Sequence, residues 1–262
     1  MDARLARLID FFRGLDAAAV AYSGGVDSSL ALYAAARALG PRSLGVNVRS
    51  EFICAAESSR AESVAAFLAD AAGARVVTRS LSVLGEADLR GNPPERCYLC
   101  KRLVMAAVRA AALAELGPDA AVCEGTNRDD EADRPGRRAV AEAGVLSPLE
   151  ACGLAKRDVR ELARSVGLPN AEDPSNSCLA TRVPTGHALT PARLAAVEAL
   201  EDAARGLGLH DLRARLVPGA DGDGALLLVR PAQLERARSL HETLAERATR
   251  AGFVRFDLGE RT

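Results

Sequence analysis

The chain has no tryptophan, and aromatic residues make up only 3% of its 262 positions. Single-stranded nucleic acid is usually held by aromatic platforms in a basic groove, so this scarcity speaks against that class of partner. An excess of one charge is also missing: 34 Lys and Arg face 35 Asp and Glu, for a formal net charge of -1. From Arg182 onward, twelve Arg and no Lys stand against eleven acidic residues, which leaves no basic footprint for RNA in that part. Nucleic-acid binding is therefore not expected. Long apolar runs are absent, which excludes helices that span a bilayer. The opening stretch MDARLARLIDFFRGL is interrupted by charges and reads as an amphipathic helix rather than a signal peptide. A cytoplasmic protein without membrane contact is expected. Histidine is scarce too, and no two of His187, His210 and His241 have metal-ligand spacing, so a His-based zinc enzyme is not expected.

What is present is a set of six cysteines, two of them as Cys97-x-x-Cys100, in an alternation of short apolar runs with helical patterns. This cysteine usage points to metal, cluster or catalytic thiols rather than a disulfide framework. Cys54, Cys123 and Cys152 fall in or beside regular elements and read as small buried hydrophobes. Strands are predicted at Ala17 to Tyr22, Ser43 to Val48, Arg75 to Leu81 and Ala120 to Glu124. Helices are predicted over Ser28 to Leu39, Ala55 to Ala72, from about Lys101, and over Lys156 to Val166. Such alternation implies an α/β fold with a doubly wound parallel sheet, whose ligands sit beyond the carboxyl ends of its strands. Irregular loops are expected at 85–100 and 173–186. Beyond residue 184 the pattern becomes helix, strand, a DGDG turn, strand, a helix from Pro231 to Ala251, and strand. Two domains are expected: 1–183, and a small α+β unit over 184–262.

The first apolar run stops at SGGVDSS, residues 23 to 29. Gly24 and Gly25 allow a sharp turn and close approach of a ligand, and Asp27, Ser28 and Ser29 lie where unpaired helix amides favour an anion such as phosphate. The Lys-Ser/Thr ending of a Walker A loop is missing, so γ-phosphate transfer is not expected. Glu124 to Asp130, at the end of the fourth strand, faces the same edge and suits ribose, base or Mg²⁺. Asp27 is the better candidate for the metal or phosphate side. Arg137 and Arg138 read as solvated. Cys97 and Cys100 can reach one metal, and Cys178, in the second irregular loop, is the best third thiol. Three thiolates would leave one iron of a cluster open, while a structural zinc site and unrelated small side chains remain alternatives. Arg213 and Arg215 share one face of a strand, which suits bidentate binding of a phosphate or carboxylate as well as simple exposure.

The loop SGGVDS resembles the PP-loop of ATP pyrophosphatases. Together with NPPERCYLCK, EGTNRDD, DRPG and PSNSCLATR, spread over residues 23 to 182, it makes the chain resemble the LarE family of ATP-dependent sulfur transferases. The resemblance implies work on the nickel-pincer nucleotide cofactor of lactate racemase, in which carboxylates of a pyridinium biscarboxylate mononucleotide become thiocarboxylates. It implies ATP and Mg²⁺, with Ser23, Gly24, Gly25, Val26, Asp27 and Ser28 on pyrophosphate and Thr126 and Asn127 nearby. It assigns Cys178 to catalysis, Arg213 and Arg215 to the substrate phosphate, and Cys97, Cys100 and Cys178 to a 4Fe-4S cluster; Asp27, by its place in the loop, and Arg182, by its closeness to Cys178, are the further catalytic candidates. In another form of the family the sulfur comes from the cysteine at the position of Cys178 itself. Either Glu201 or Asp202 matches a family acidic residue. The expected partners are a small nucleotide substrate, other cofactor-biosynthesis enzymes and further copies of the chain in a homo-oligomer. A tRNA thiolation enzyme and an amide-forming PP-loop synthetase are the competing readings.

Overall fold

A computed structural model describes residues 2–131, 135–174 and 177–261. In chain order the elements are α1 (Ala3–Arg13), β1 (Ala18–Ala21), α2 (Val26–Leu39), β2 (Ser43–Arg49), α3 (Ala55–Ala72), β3 (Val76–Ser80), α4 (Ala87–Arg90), α5 (Arg96–Leu116) and β4 (Ala121–Cys123). Then follow α6 (Pro135–Glu142), α7 (Pro148–Ala151), α8 (Lys156–Ser165), α9 (Pro191–Gly206), β5 (Arg213–Val217), β6 (Gly224–Val229), α10 (Leu234–Ser239), α11 (His241–Ala251) and β7 (Arg255–Glu260). The chain divides into two compact units. The first comprises Met1–Ser50, Ala55–Leu81 and Cys97–Ser175; the second comprises Glu51–Cys54, Ser82–Arg96 and Asn176–Thr262.

In the first unit, β1 to β4 form a parallel sheet in the order β3-β2-β1-β4. Successive strand residues point to opposite faces, and here both faces are covered. Ala18 and Val20 of β1 join Leu8 and Phe12 of α1, Leu30 of α2, Leu68 of α3 and Leu162 of α8 in one core cluster. Ala19, between them, joins Leu44 and Val46 of β2, Met105 and Val108 of α5, and Val140 near the end of α6 in another. Each fully buried leucine of this kind contributes about 1.5–3 kcal/mol. The result is an α/β, Rossmann-like sheet flanked by helices. Its strand order reverses between β1 and β4, which opens a crevice at the carboxyl ends of those two strands.

The second unit holds a three-stranded mixed sheet, β5-β6-β7, with β5 antiparallel to β6 and β6 parallel to β7. The DGDG turn joins β5 to β6 as a hairpin connection, whereas the parallel step to β7 passes through α10 and α11. Two expectations change. The helix expected from Lys101 begins at Arg96, because Pro93 and Pro94 suit the lead-in to a helix and do not delay it, so Cys97 and Cys100 lie on its first turn. The single helix expected over Pro231 to Ala251 is instead a short 3₁₀ turn, α10 and α11, with the break at Leu240. Among the described residues no helix is long and apolar enough to cross a membrane.

Candidate active site

The loop after β1 is built on one residue that must be glycine. Gly24 has a φ of +82°, and a Cβ there would lie 2.6 Å from the Cβ of Ala61 on α3. Gly25 differs: its φ is -75°, and a Cβ would meet only the Ser23 hydroxyl, at 3.5 Å. It caps α2 without a side chain, so the first-turn amides have no acceptor from the cap residue. Neighbouring hydroxyls brace the loop. Ser28 Oγ donates to Gly25 O at 3.0 Å and lies 3.1 Å from Ser23 Oγ, and Ser29 Oγ donates to Gly25 O at 2.9 Å. Behind them the buried Asn170 donates from Nδ2 to Gly24 O at 2.7 Å and to Ser29 Oγ at 3.0 Å.

The segment after β4 closes the other side of the switch point. Gly125 is required there, since a Cβ would come within 2.9 Å of the Ser28 backbone nitrogen. Glu124 is buried and spent on the turn itself, accepting from Thr126 N and Thr126 Oγ1, each at 2.9 Å, and from Ser147 Oγ at 2.7 Å. Asn127 spans the crevice and donates to Asp27 Oδ1 at 3.3 Å, while its Oδ1 accepts from Asp129 N. The other oxygen of Asp27 pairs with the ammonium of Lys156, at the start of α8, and Asp129 receives the Lys156 backbone N–H at 2.9 Å. Ser23, Gly24, Gly25, Asp27, Ser28, Thr126 and Asn127 therefore belong to one crevice. Lys156 and Asn170 escaped the sequence reading because each acts across more than a hundred residues of chain. Of the two arginines read as solvated, Arg137 binds Glu150 at 2.6 Å and Arg138 lies 3.9 Å from the centre of the Tyr98 ring.

The cysteines divide as expected between core and surface. Cys123 and Cys152 are buried in the first unit and Cys54 in the second. Burial pushes the Cys123 thiol up to about 12, aided by the adjacent Glu124 carboxylate, and raises Cys152 as well, so both stay as inert thiols. Cys97 is exposed and Cys100 half-buried; three residues apart on the first turn of α5, they share a helix face. Cys178, also half-buried, belongs to the second unit and precedes a 3₁₀ turn, Leu179–Arg182. Among the described residues no three His, Cys, Asp or Glu side chains are gathered as for one metal ion. Asp133 and Arg134 of the DRPG motif, and Ser175 and Asn176 before Cys178, lie outside the described residues.

Within the second unit the Cys178 segment is tightly held. Arg182 is only 1% exposed. Its guanidinium binds Glu201, with Nε to Oε1 at 2.8 Å, and also donates to the carbonyls of Ser177 and Cys178. Glu201 is equally buried and further accepts from Ala214 N at 3.1 Å and from Arg205 at 2.7 Å. Of the two acidic candidates it is the one in this network; Asp202 is an exposed partner of Arg205. Arg215 donates to Thr181 O, which links β5 to the same segment. Burial and the neighbouring cations Arg261, Arg182 and Arg215 lower the Arg213 guanidinium, and burial and Arg182 lower Arg215. An anion would relieve that repulsion. Asn92, fully buried at a φ of 52°, clamps the other end by donating to the carbonyls of Val183 and Pro184 at 3.0 and 2.8 Å. Arg96, the residue before Cys97, donates to Ala180 O at 3.2 Å.

No protein-family model matches the chain. It is 34% identical over 216 residues to an uncharacterized protein of Synechocystis, covering 82% of this chain and 78% of that one. It is 29% identical over 199 residues to an uncharacterized protein of Methanocaldococcus jannaschii, covering 75% and 72%. It is also 34% identical over 212 residues to the pyridinium-3,5-bisthiocarboxylic acid mononucleotide synthase of Lactiplantibacillus plantarum, covering 80% of this chain and 75% of that enzyme. By that similarity, over most of both chains, the protein belongs to the LarE family.

Proposed function

We propose that the protein is an ATP-dependent sulfur transferase that activates carboxylates of pyridinium-3,5-biscarboxylic acid mononucleotide and converts them to thiocarboxylates. The observation that carries this reading is the glycine-capped start of α2 at the switch point of the sheet, in a chain similar to a synthase named for the bisthiocarboxylic product. A carboxylate resists nucleophiles because it is already anionic. Its oxygen therefore attacks the α-phosphorus of ATP, pyrophosphate leaves, and an acyl-adenylate remains. The first-turn amides of α2 and the residues from Ser23 to Ser28 receive the pyrophosphate. Asp27 offers a carboxylate for Mg²⁺ beside phosphate oxygens, and Thr126 and Asn127 line the nucleotide side. Arg213 and Arg215 hold the phosphate of the mononucleotide, and Arg182 positions the Cys178 segment. A sulfur nucleophile then attacks the acyl carbon, and AMP departs with one of the original carboxylate oxygens.

Cys97, Cys100 and Cys178 are the residues that would hold a 4Fe-4S cluster. Two of these thiols lie one helical turn apart on α5 and the third is half-buried in the second unit, and thiolates are the ligands that such a cluster takes. When bound, it would supply a sulfide on the iron that three protein ligands leave open. The division of the three cysteines between two units keeps a second route in view. In that route Cys178 attacks the acyl carbon, AMP leaves, and loss of the Cys178 α-proton breaks its Cβ–S bond to give dehydroalanine and the thiocarboxylate.

Both routes are tested on anaerobically purified protein given ATP and the biscarboxylate. Iron with acid-labile sulfide and more than one turnover supports the cluster. A single turnover with the chain lighter by hydrogen sulfide supports the sacrificial route. Pyrophosphate release that does not depend on the biscarboxylate removes the adenylation reading altogether.

A further inference from the structure

The carbonyls of Gly24 and Gly25 both point into the protein. Gly24 O accepts from Asn170 Nδ2 at 2.7 Å, and Gly25 O accepts from the hydroxyls of Ser28 and Ser29 as well as from the Ser29 backbone N–H, at 3.0 Å. Ser29 in turn receives the second N–H of Asn170, at 3.0 Å. The amide cannot be turned around, because a peptide carbonyl only accepts and the group facing it must be the donor. Asn170 is 2% exposed, and its own Oδ1 is buried without a hydrogen-bond partner. A buried acceptor left unmade is costly, so at this position the two donated bonds outweigh the lost acceptor.

The consequence follows from the geometry of the peptide bond. Among the described residues every peptide is trans, so the C=O and N–H of one peptide unit point in opposite directions. Holding Gly24 O and Gly25 O from inside therefore turns the N–H groups of Gly25 and Val26 to the exposed side of the loop, where the Gly25 N–H meets the Ser23 hydroxyl at a long 3.4 Å, a contact that an entering anion can replace. We propose that Asn170 is a positioning residue for anion binding: through Gly24 O directly, and through Ser29 to Gly25 O, it aims the two amides that receive the pyrophosphate part of ATP. Ser29 is thereby a relay rather than a ligand, since its hydroxyl is 0% exposed and spent on Asn170 and Gly25. The assignment rests on the proposed use of ATP and deepens it.

The test measures binding of inorganic pyrophosphate by the full chain, with the melting temperature of each variant. Asn170→Ala is expected to weaken pyrophosphate about ten- to a hundredfold, because misaimed donors lose charge-assisted hydrogen bonds. It should also raise the KM for ATP while leaving the KM for the biscarboxylate unchanged, a split that general loosening of the fold would not produce. Ser29→Ala is expected to weaken pyrophosphate less. If Asn170→Ala does not fold, Ser29→Ala alone carries the test. In the double variant the two losses should be less than additive, as befits one relay. Unchanged pyrophosphate affinity in a folded Asn170→Ala protein, or in Ser29→Ala where the former fails, overturns the proposal and leaves ATP use standing. Wild-type protein that binds neither pyrophosphate nor ATP overturns both.

Discussion

A guanidinium at 1% exposure survives in a fold only if its charge is answered, and Arg182 is answered by Glu201. Removing one member of such a pair strands the other, at about 3–5 kcal/mol. Glu201→Gln should therefore lower stability by that amount, read from the urea midpoint. Replacing both residues by apolar side chains of similar volume, as in Arg182→Met with Glu201→Leu, should restore part of the stability, since the pair itself contributes little net but the buried Ala214 N–H loses its acceptor. Sulfur transfer should still fail in that double variant, because the carbonyls of Ser177 and Cys178 lose the group that holds them. Recovery of both stability and transfer would show that Arg182 has no part in placing Cys178. A sequence shows that Arg182 follows Cys178 closely, but not that its charge is turned inward; that depends on Glu201, nineteen residues further on.

At the scale of elements, the two loop glycines separate packing from function. Gly24→Ala would force a left-handed φ on a residue with a Cβ and push that atom into α3. A cost of about 2–5 kcal/mol is expected from strain and overpacking together. Gly25→Ala meets neither obstacle and should melt within a few degrees of wild type, on the order of the ±0.5 kcal/mol typical of uncomplicated sites. It should nevertheless weaken pyrophosphate, because a methyl group at the helix cap stands where an anion must approach. Equal affinity in wild type and Gly25→Ala would show that the anion does not enter over the cap. The strands of the parallel sheet were legible because short apolar runs end at turn residues, and the loop after β1 because its glycines sit between such a run and a helix. The start of α5 was not legible, since Pro93 and Pro94 look alike in a connector and in the approach to a helix. Gly125 was legible as a loop residue, but its tight fit against Ser28 comes from two strands that are neighbours only in the folded sheet.

Over the whole molecule several carboxylates titrate below their ordinary range. Asp158 is held down by the Ala155 backbone N–H and then by Arg4. Glu115 is held down by Arg75 and Arg79. For Asp211 burial acts the other way but is outweighed by hydrogen bonds from Arg230 and Arg261. Because these groups bind protons more weakly folded than unfolded, their contribution is complete above the unfolded carboxylate range and disappears as pH falls through the folded values. The urea midpoint should be nearly level from about pH 7 to about pH 5 and decline below that. A midpoint that rises on acidification would contradict these pairings. Nor does a linear reading reveal that the second compact unit is gathered from three separate stretches, because composition carries no record of which distant segments meet. On the proposed use of ATP, the ion pair between Asp27 and Lys156 also bears on how nucleotide enters. With both charges already matched, magnesium-bound nucleotide can enter by an exchange of partners, the carboxylate turning to the cation and the ammonium to phosphate. Because the pair presents no net charge to an approaching nucleotide, this part of the crevice should add little to the dependence of nucleotide affinity on ionic strength.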